Sequence, residues 1–240
     1  MTTAKLAFEE LTNPTARPRQ RKFREVDFTP PHDLPVVDLI ELYTGVEYAL
    51  PGREGVVVQF VAATSGRDAE QVALDMAWAA ASALHKRVLV LTCTGGSSGR
   101  RALRGPEHQP ANDGGRVDVL APEMRMLKVA DHEMYVADIG EWYGNVGALG
   151  ALDEMDEQLT EFRDMLDMIV TVPPPADSDP LAAVMARHVD GNVIVIEAEQ
   201  TRRAAAIRLR ETLARSGRPI VGTVLCNRRN YMPRWLSRIL

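Results

Sequence analysis

The sequence predicts an α/β domain, a doubly wound and mostly parallel sheet flanked by helices, on three observations. Apolar runs at 56–61 and 88–91 are continuous rather than alternating, as in strands buried on both faces. The alanine-rich segment 69–84 between them completes strand, tight turn, helix and strand within about forty residues, a βαβ unit whose crossover is expected to be right-handed. Strand-like and helix-like segments then alternate again through the C-terminal third.

In chain order, residues 1–35 are polar and carry Pro14, Pro18, Pro30, Pro31 and Pro35, which reads as a mostly unfolded basic leader before a single domain, 36–240. A helix follows over 37–49, with Leu39, Leu42, Val46 and Ala49 on one face, and Pro51-Gly52 stops it. Residues 94–116 hold six glycines and read as a long loop. Short strands are candidates at 117–120 and 134–139, and acidic and apolar residues at helical spacing suggest a surface helix over 154–166. Residues 168–172 read as a strand running into Pro173-Pro174-Pro175, 180–188 as a helix with proline in its first turn, and 192–196 as a strand. Thr201 is expected to cap a helix extending to Ser216, which Gly217 and Pro219 end, and 220–226 is expected to be the last core strand.

Composition narrows the partners. With 240 residues, 45% of them apolar, the chain can bury one substantial core. A net charge of −5 offers no global basic field, so nucleic acid is not expected. Positive charge gathers at the ends, in Arg17, Arg19, Arg21, Lys22 and Arg24 and in Arg228, Arg229, Arg234 and Arg238. Such runs are usually solvated tails, and an acidic partner or anionic lipid is the sharper alternative. Cys93 and Cys226 end two predicted strands and make no disulfide or metal framework. No apolar run is long enough to span a membrane and residues 1–25 are too polar for a signal peptide, so the expected location is the cytoplasm.

The turn after the first strand, Ala62-Ala63-Thr64-Ser65-Gly66-Arg67-Asp68, has the shape of a phosphate loop without its chemistry. Such a loop needs glycines to curl backbone N–H groups round an anion, a lysine for the β- and γ-phosphates, and a hydroxyl for magnesium. Gly66 is present, but Asp68, Ala69, Glu70 and Gln71 occupy the other positions. A carboxylate about 4 Å from a phosphate charge costs on the order of 4 kcal/mol at an effective dielectric near 20, roughly a thousandfold in affinity. The same residues suit a helix start, with Asp68 as N-cap, Gln71 at capping-box spacing and Glu70 in the first turn.

Further stretches carry a family likeness: Val57-Val58-Gln59-Phe60-Val61, Pro174-Pro175, Val189-Asp190-Gly191, Glu197-Ala198-Glu199-Gln200-Thr201-Arg202 and Val221-Gly222-Thr223-Val224-Leu225-Cys226-Asn227-Arg228-Arg229. With Tyr231-Met232-Pro233-Arg234-Trp235-Leu236 near the end, the chain resembles, over roughly 37–240, the cytoplasmic domains of bacterial tyrosine kinases and polysaccharide co-polymerases. These are MinD-like P-loop NTPases, and the likeness is greatest to stand-alone exopolysaccharide biosynthesis proteins. The resemblance implies a role in exopolysaccharide or capsule export and recruitment by a transmembrane polysaccharide co-polymerase.

The departures fall on the catalytic parts. Where active members carry Gly-Glu-Gly-Lys-Ser-Thr, this chain has Gly66-Arg67-Asp68-Ala69-Glu70-Gln71, and Thr92, Thr94 and Val172 stand where three aspartates are expected. Phosphoryl transfer depends on positioning and on charge stabilisation by lysine and metal, so little catalysis is left to explain. Asn227 falls where the family contacts the nucleobase, though it equally suits a strand-end turn. The ring-forming Glu-x-x-Arg-x-x-Arg helix is absent, Glu41 being followed by Thr44 and Glu47, and the tyrosine cluster is reduced to Tyr231. No metal spacing joins His32, His85, His108, His132 and His188. Glu197 and Glu199 read as solvated or paired with Arg202 and Arg203 rather than as an acid/base pair, and Ser97-Ser98 lacks a visible base.

The expectation is therefore a non-catalytic, pseudo-kinase-like regulator or scaffold without a cofactor or metal, with Gly66 and Asn227 as vestigial nucleotide-site residues. It reaches the membrane only through the co-polymerase, and self-association stays open. An atypical ATPase or tyrosine autokinase, and a nucleotide or sugar-nucleotide sensor, are the alternatives. A C-terminal element with Trp235, Leu236, Ile239 and Leu240 on an apolar side, Arg234 and Arg238 supplying charge, suggests packing on the domain or part of the docking surface.

Overall fold

The strands are β1 (Glu25–Val26), β2 (Val56–Ala62), β3 (Val88–Thr92), β4 (Met126–Val129), β5 (Met134–Asp138), β6 (Met168–Val172), β7 (Gly191–Glu197) and β8 (Ile220–Cys226). They form one sheet in the order β1-β4-β5-β3-β6-β2-β7-β8. Every pairing is parallel except that of β4 with β5. The helices are α1 (Val36–Ala49), α2 (Asp68–Leu84), α3 (Leu181–Met185) and α4 (Arg203–Ala214). The computed structural model describes residues 25–26, 35–51, 55–65, 68–93, 126–129, 131–140, 156, 159–160 and 162–227, with backbone alone at 25–26, 68 and 126–127.

Parallel strands buried on both faces explain the continuous apolar runs. Every residue of β2, β3 and β6 is buried. Val56, Val58 and Phe60 join Val88, Val90, Val170 and Val193 on one face, under Tyr43 and Val46 of α1, Leu50 just after it and the alanines of α2. Val57, Leu89, Leu91 and Ile169 face the other way, onto Leu159, Phe162, Leu166 and α3. Farther along that second face Val61 and Ile194 meet Ala205, Leu209 and Leu213 of α4. Two faces, each with its own helices, make the sheet doubly wound.

The alanines of α2 serve two ends. They carry little side-chain entropy cost into the helix, and Ala69, Ala73, Ala77, Ala80 and Ala81 let its axis lie close on the strands. The helix stops where His85 turns left-handed (φ 54°) and the Lys86 N–H closes on the Ala80 carbonyl at 3.2 Å.

Several expectations need amendment. Glu25–Val26, inside the expected leader, pairs in parallel with β4, and β4 itself was not foreseen; both are too short to show a period. The helix expected over 180–188 is regular only at Leu181–Met185, with turns through 188. Thr201 does not cap α4: its hydroxyl accepts the Glu197 N–H at 3.0 Å, and the N-cap residue is Arg202, without a side-chain capping bond. Strand β8 ends the sheet and is only partly covered, with Leu225 55% exposed and Cys226 half-buried, so it is an edge strand rather than a core strand. The expected loop 94–116, the strand candidate 117–120 and the C-terminal element 228–240 lie outside the described residues.

Candidate functional site

In a doubly wound sheet the ligand crevice opens at the carboxyl ends of the strands, where consecutive helices leave for opposite faces. Here α2 follows β2 onto one face and α3 follows β6 onto the other, and β2 and β6 are neighbours. The crevice is therefore bounded by the turn after Ala62 and the loop after Val172. The chain ties these two together. The Ala176 N–H donates to the Ala62 carbonyl at 3.0 Å. The Ser65 backbone N–H donates to one carboxylate oxygen of Asp177 at 3.2 Å, and the Ser65 hydroxyl pairs with the other at 3.1 Å. A backbone N–H in a phosphate-type turn thus has a carboxylate of the same chain as its acceptor.

Beyond Ser65, Gly66 and Arg67 lie outside the described residues. Helix α2 begins at Asp68, which places Asp68 at the first helical position rather than before it; its side chain, and so the expected capping bond, lies outside the described atoms. Ala69 is 5% exposed and packs into the main cluster with α1 and the strands. Glu70 is buried at the next position, where a phosphate loop has its magnesium-binding hydroxyl.

At the end of β3, Thr92 is fully buried and in register with Asp138 on one side and Val172 on the other. Its hydroxyl lies 3.5 Å from the Ala137 carbonyl. Asp138 is a carboxylate in register with Thr92. It was not singled out from the sequence, although it closes the strand-like run Met134 to Asp138. One of its oxygens accepts the Gly140 N–H at 2.8 Å, an Asx-type turn. Burial, and then the nearby charges of Asp138 and Asp179, push the Cys93 thiol well above its ordinary range, which favours its neutral form.

No protein-family model matches the chain, and no curated protein matches it. Solved structures do. The kinase domain of the Escherichia coli tyrosine kinase ETK superposes with a TM-score of 0.65 at 18% identity, covering 90% of this chain and 88% of that one. The VpsO kinase domain gives 0.59 at 20% identity, covering 81% and 96%. A chain of the MinC:MinD cell division protein complex of Aquifex aeolicus gives 0.52 at 15%, covering 77% and 72%. The chain has the bacterial tyrosine-kinase fold. At these identities the likeness concerns the fold, which the kinase domains share with MinD-type P-loop proteins.

On this kinase-type fold Asn227 ends β8 in a left-handed conformation (φ 55°). Its amide donates to Glu197 at 3.1 Å, and the Gln200 amide also donates to that oxygen. Glu197 is at the exposed edge of this corner, as the solvated alternative expects, and among the described residues its partners are these amides and not Arg202 or Arg203. The Ala198 N–H donates to the Cys226 carbonyl at 2.9 Å, so the ends of β7 and β8 form one tied corner. Gly66, the other residue assigned to a vestigial site, is not among the described residues.

The remaining candidates are scattered. His132 packs edge-on against Trp78 with ring centroids 6.4 Å apart, and His188 Nδ1 is 3.4 Å from Asp156. Among the described residues no three His, Cys, Asp or Glu side chains gather to hold a metal ion. No described helix is long and apolar enough to cross a membrane. Glu41, Thr44 and Glu47, the positions compared with the ring motif, line a shallow concavity with Tyr48 on α1, away from the crevice; Glu47 is engaged by Lys86 at 2.9 Å.

Proposed function

We propose that this chain is a non-catalytic regulator or scaffold of exopolysaccharide or capsule biosynthesis, built on the tyrosine-kinase fold and docking on a transmembrane co-polymerase at the inner face of the membrane. The observation that carries the non-catalytic part is the hold of Asp177 on Ser65. A phosphate entering that turn would have to displace a carboxylate and would then lack a lysine, since Ala69 occupies that position within the core. Phosphoryl transfer draws on lysine and metal for most of its charge stabilisation. At the strand ends Thr92 and Val172 supply no carboxylate for magnesium. The pathway and the partner rest on the sequence resemblance, which spans the sheet and the C-terminal segment.

Isothermal titration of the purified chain with ATP and magnesium, with an assay for phosphate release and phosphotyrosine, tests the first half. Neither binding in the micromolar range nor turnover is expected. Co-purification with the co-polymerase expressed beside it tests the second half. Turnover would establish the autokinase reading, and a melting-temperature rise with one nucleotide or sugar nucleotide alone would establish a sensor.

A further inference from the structure

Three buried polar side chains cross the middle of the sheet in one row. Thr171 on β6, Gln59 on β2 and Asn192 on β7 are in register, and each is fully buried. In-register residues of neighbouring parallel strands project to the same face. Their row interrupts the apolar contacts of the second face, between Val57 and Ile169 on one side and Val61 and Ile194 on the other. The Gln59 Nε2 donates to the Ala182 carbonyl of α3 at 2.9 Å and to Asn192 Oδ1 at 3.2 Å. Two acceptors for one amide nitrogen fix its orientation. Turning the amide over would set oxygen against both. Gln59 Oε1 and Thr171 Oγ1 are then buried with no hydrogen-bond partner among the described residues, and so is Asn192 Nδ2. Buried polar atoms are almost always paired, with protein or with ordered water.

We propose that one ordered water molecule sits between Gln59 Oε1 and Thr171 Oγ1 and bridges β2 to β6 inside the protein. Adjacent strands are about 4.8 Å apart, and two hydrogen bonds of about 2.8 Å meeting near the tetrahedral angle at a water oxygen span about 4.5 Å. Gln59 and Thr171 stand side by side on these strands, so their two unpartnered oxygens are placed to share one water. The chemistry is selective. Gln59 Oε1 is an acceptor only and accepts a hydrogen bond from the water, while the Thr171 hydroxyl donates or accepts the second bond. An anion would face the amide oxygen. Leu91, in register with Thr171 on its other side, closes that flank with apolar surface.

A crystal structure of the full chain at a resolution where ordered waters are visible tests the site directly. One density peak within hydrogen-bond distance of both atoms, sealed from bulk solvent, is expected. No peak, or a direct Gln59–Thr171 hydrogen bond, overturns the proposal. In solution, oxygen-17 magnetic relaxation dispersion counts long-lived internal waters, and Thr171→Val, which keeps the shape and removes the hydroxyl, is expected to lower the count by one. An unchanged count overturns the bridge; if the variant does not fold, the wild-type density decides alone.

Discussion

The Arg163 guanidinium pairs with the buried carboxylate of Asp190, which also accepts the Val57 backbone N–H at 2.9 Å. The same guanidinium donates to the Gly55 carbonyl at 3.0 Å, so one ion pair joins the entrance of β2, the turn before β7 and the helical residues at 162–163. The Asp190 side chain is 2% exposed and that of Arg163 24%. Removing one member of a buried pair leaves the other desolvated and unpaired, at a cost of about 3–5 kcal/mol. Asp190→Ala is therefore expected to lower the urea midpoint far more than the exposed Glu47→Ala, which breaks only a surface pair with Lys86. Equal midpoints for the two variants would contradict the assignment.

Gly55, in the same corner, is left-handed (φ 60°), and a Cβ on it would lie 2.2 Å from the Arg163 carbonyl oxygen. Gly217 is also left-handed (φ 77°) but faces open space. Alanine at Gly217 meets only the backbone penalty, roughly 1–2 kcal/mol. Alanine at Gly55 meets that and a backbone collision. Thermal unfolding should therefore rank Gly55→Ala well below Gly217→Ala.

The acid limb of stability has an identifiable contributor. Asp167 lies below the usual carboxylate range although burial alone would raise it, because hydrogen bonds from the Arg87 side chain and backbone N–H, at 3.1 and 2.7 Å, hold it ionised. A carboxylate depressed in the folded state contributes stability that is complete above its unfolded value and lost as pH falls through the folded one. Glu133, lowered chiefly by the Tyr135 hydroxyl and then by Lys128, acts in the same direction. Asp167→Asn is expected to flatten the loss of stability below about pH 4, the unfolded range of Asp and Glu, and to leave the slope at neutral pH unchanged. Denaturant titrations across that range measure it.

The fold was legible where hydrophobic pattern is long enough to have a period. The runs at β2, β3, β6 and β7 read as strands because burial on both faces leaves them uninterrupted, and α2 read as a helix from its alanines. Strand β4 was missed because four residues holding Met126, Leu127, Lys128 and Val129 carry no decisive period, and its antiparallel pairing depends on β5. The turn read as a poor phosphate site from its own residues, which is a local matter. That Asp177 would accept its Ser65 N–H was not legible, since the two are 112 residues apart and only the β2–β6 neighbourhood brings them together. Thr201 was misread for a related reason: a threonine before a helix suits a cap, but here its hydroxyl is taken by the Glu197 N–H in the preceding turn.

Ala69 stands at the lysine position of the resemblance, and it is 5% exposed within the cluster that joins α1, α2 and the strands. Forcing a long side chain into such packing costs about 1–3 kcal/mol, and a buried ammonium adds to that. Ala69→Lys is therefore expected to destabilise the fold without creating ATP hydrolysis. Asp177→Ala has the opposite profile. It removes two exposed hydrogen bonds from Ser65, each worth at most about 0.5–1.5 kcal/mol, while the Ala176–Ala62 backbone bond still holds the loop. The double variant frees the turn and supplies the lysine, yet Thr92 and Val172 still offer no carboxylate for magnesium. No turnover is expected from it by phosphate-release assay; hydrolysis by Ala69→Lys alone would mean that the loss of lysine, not the arrangement of the whole crevice, silences the chain.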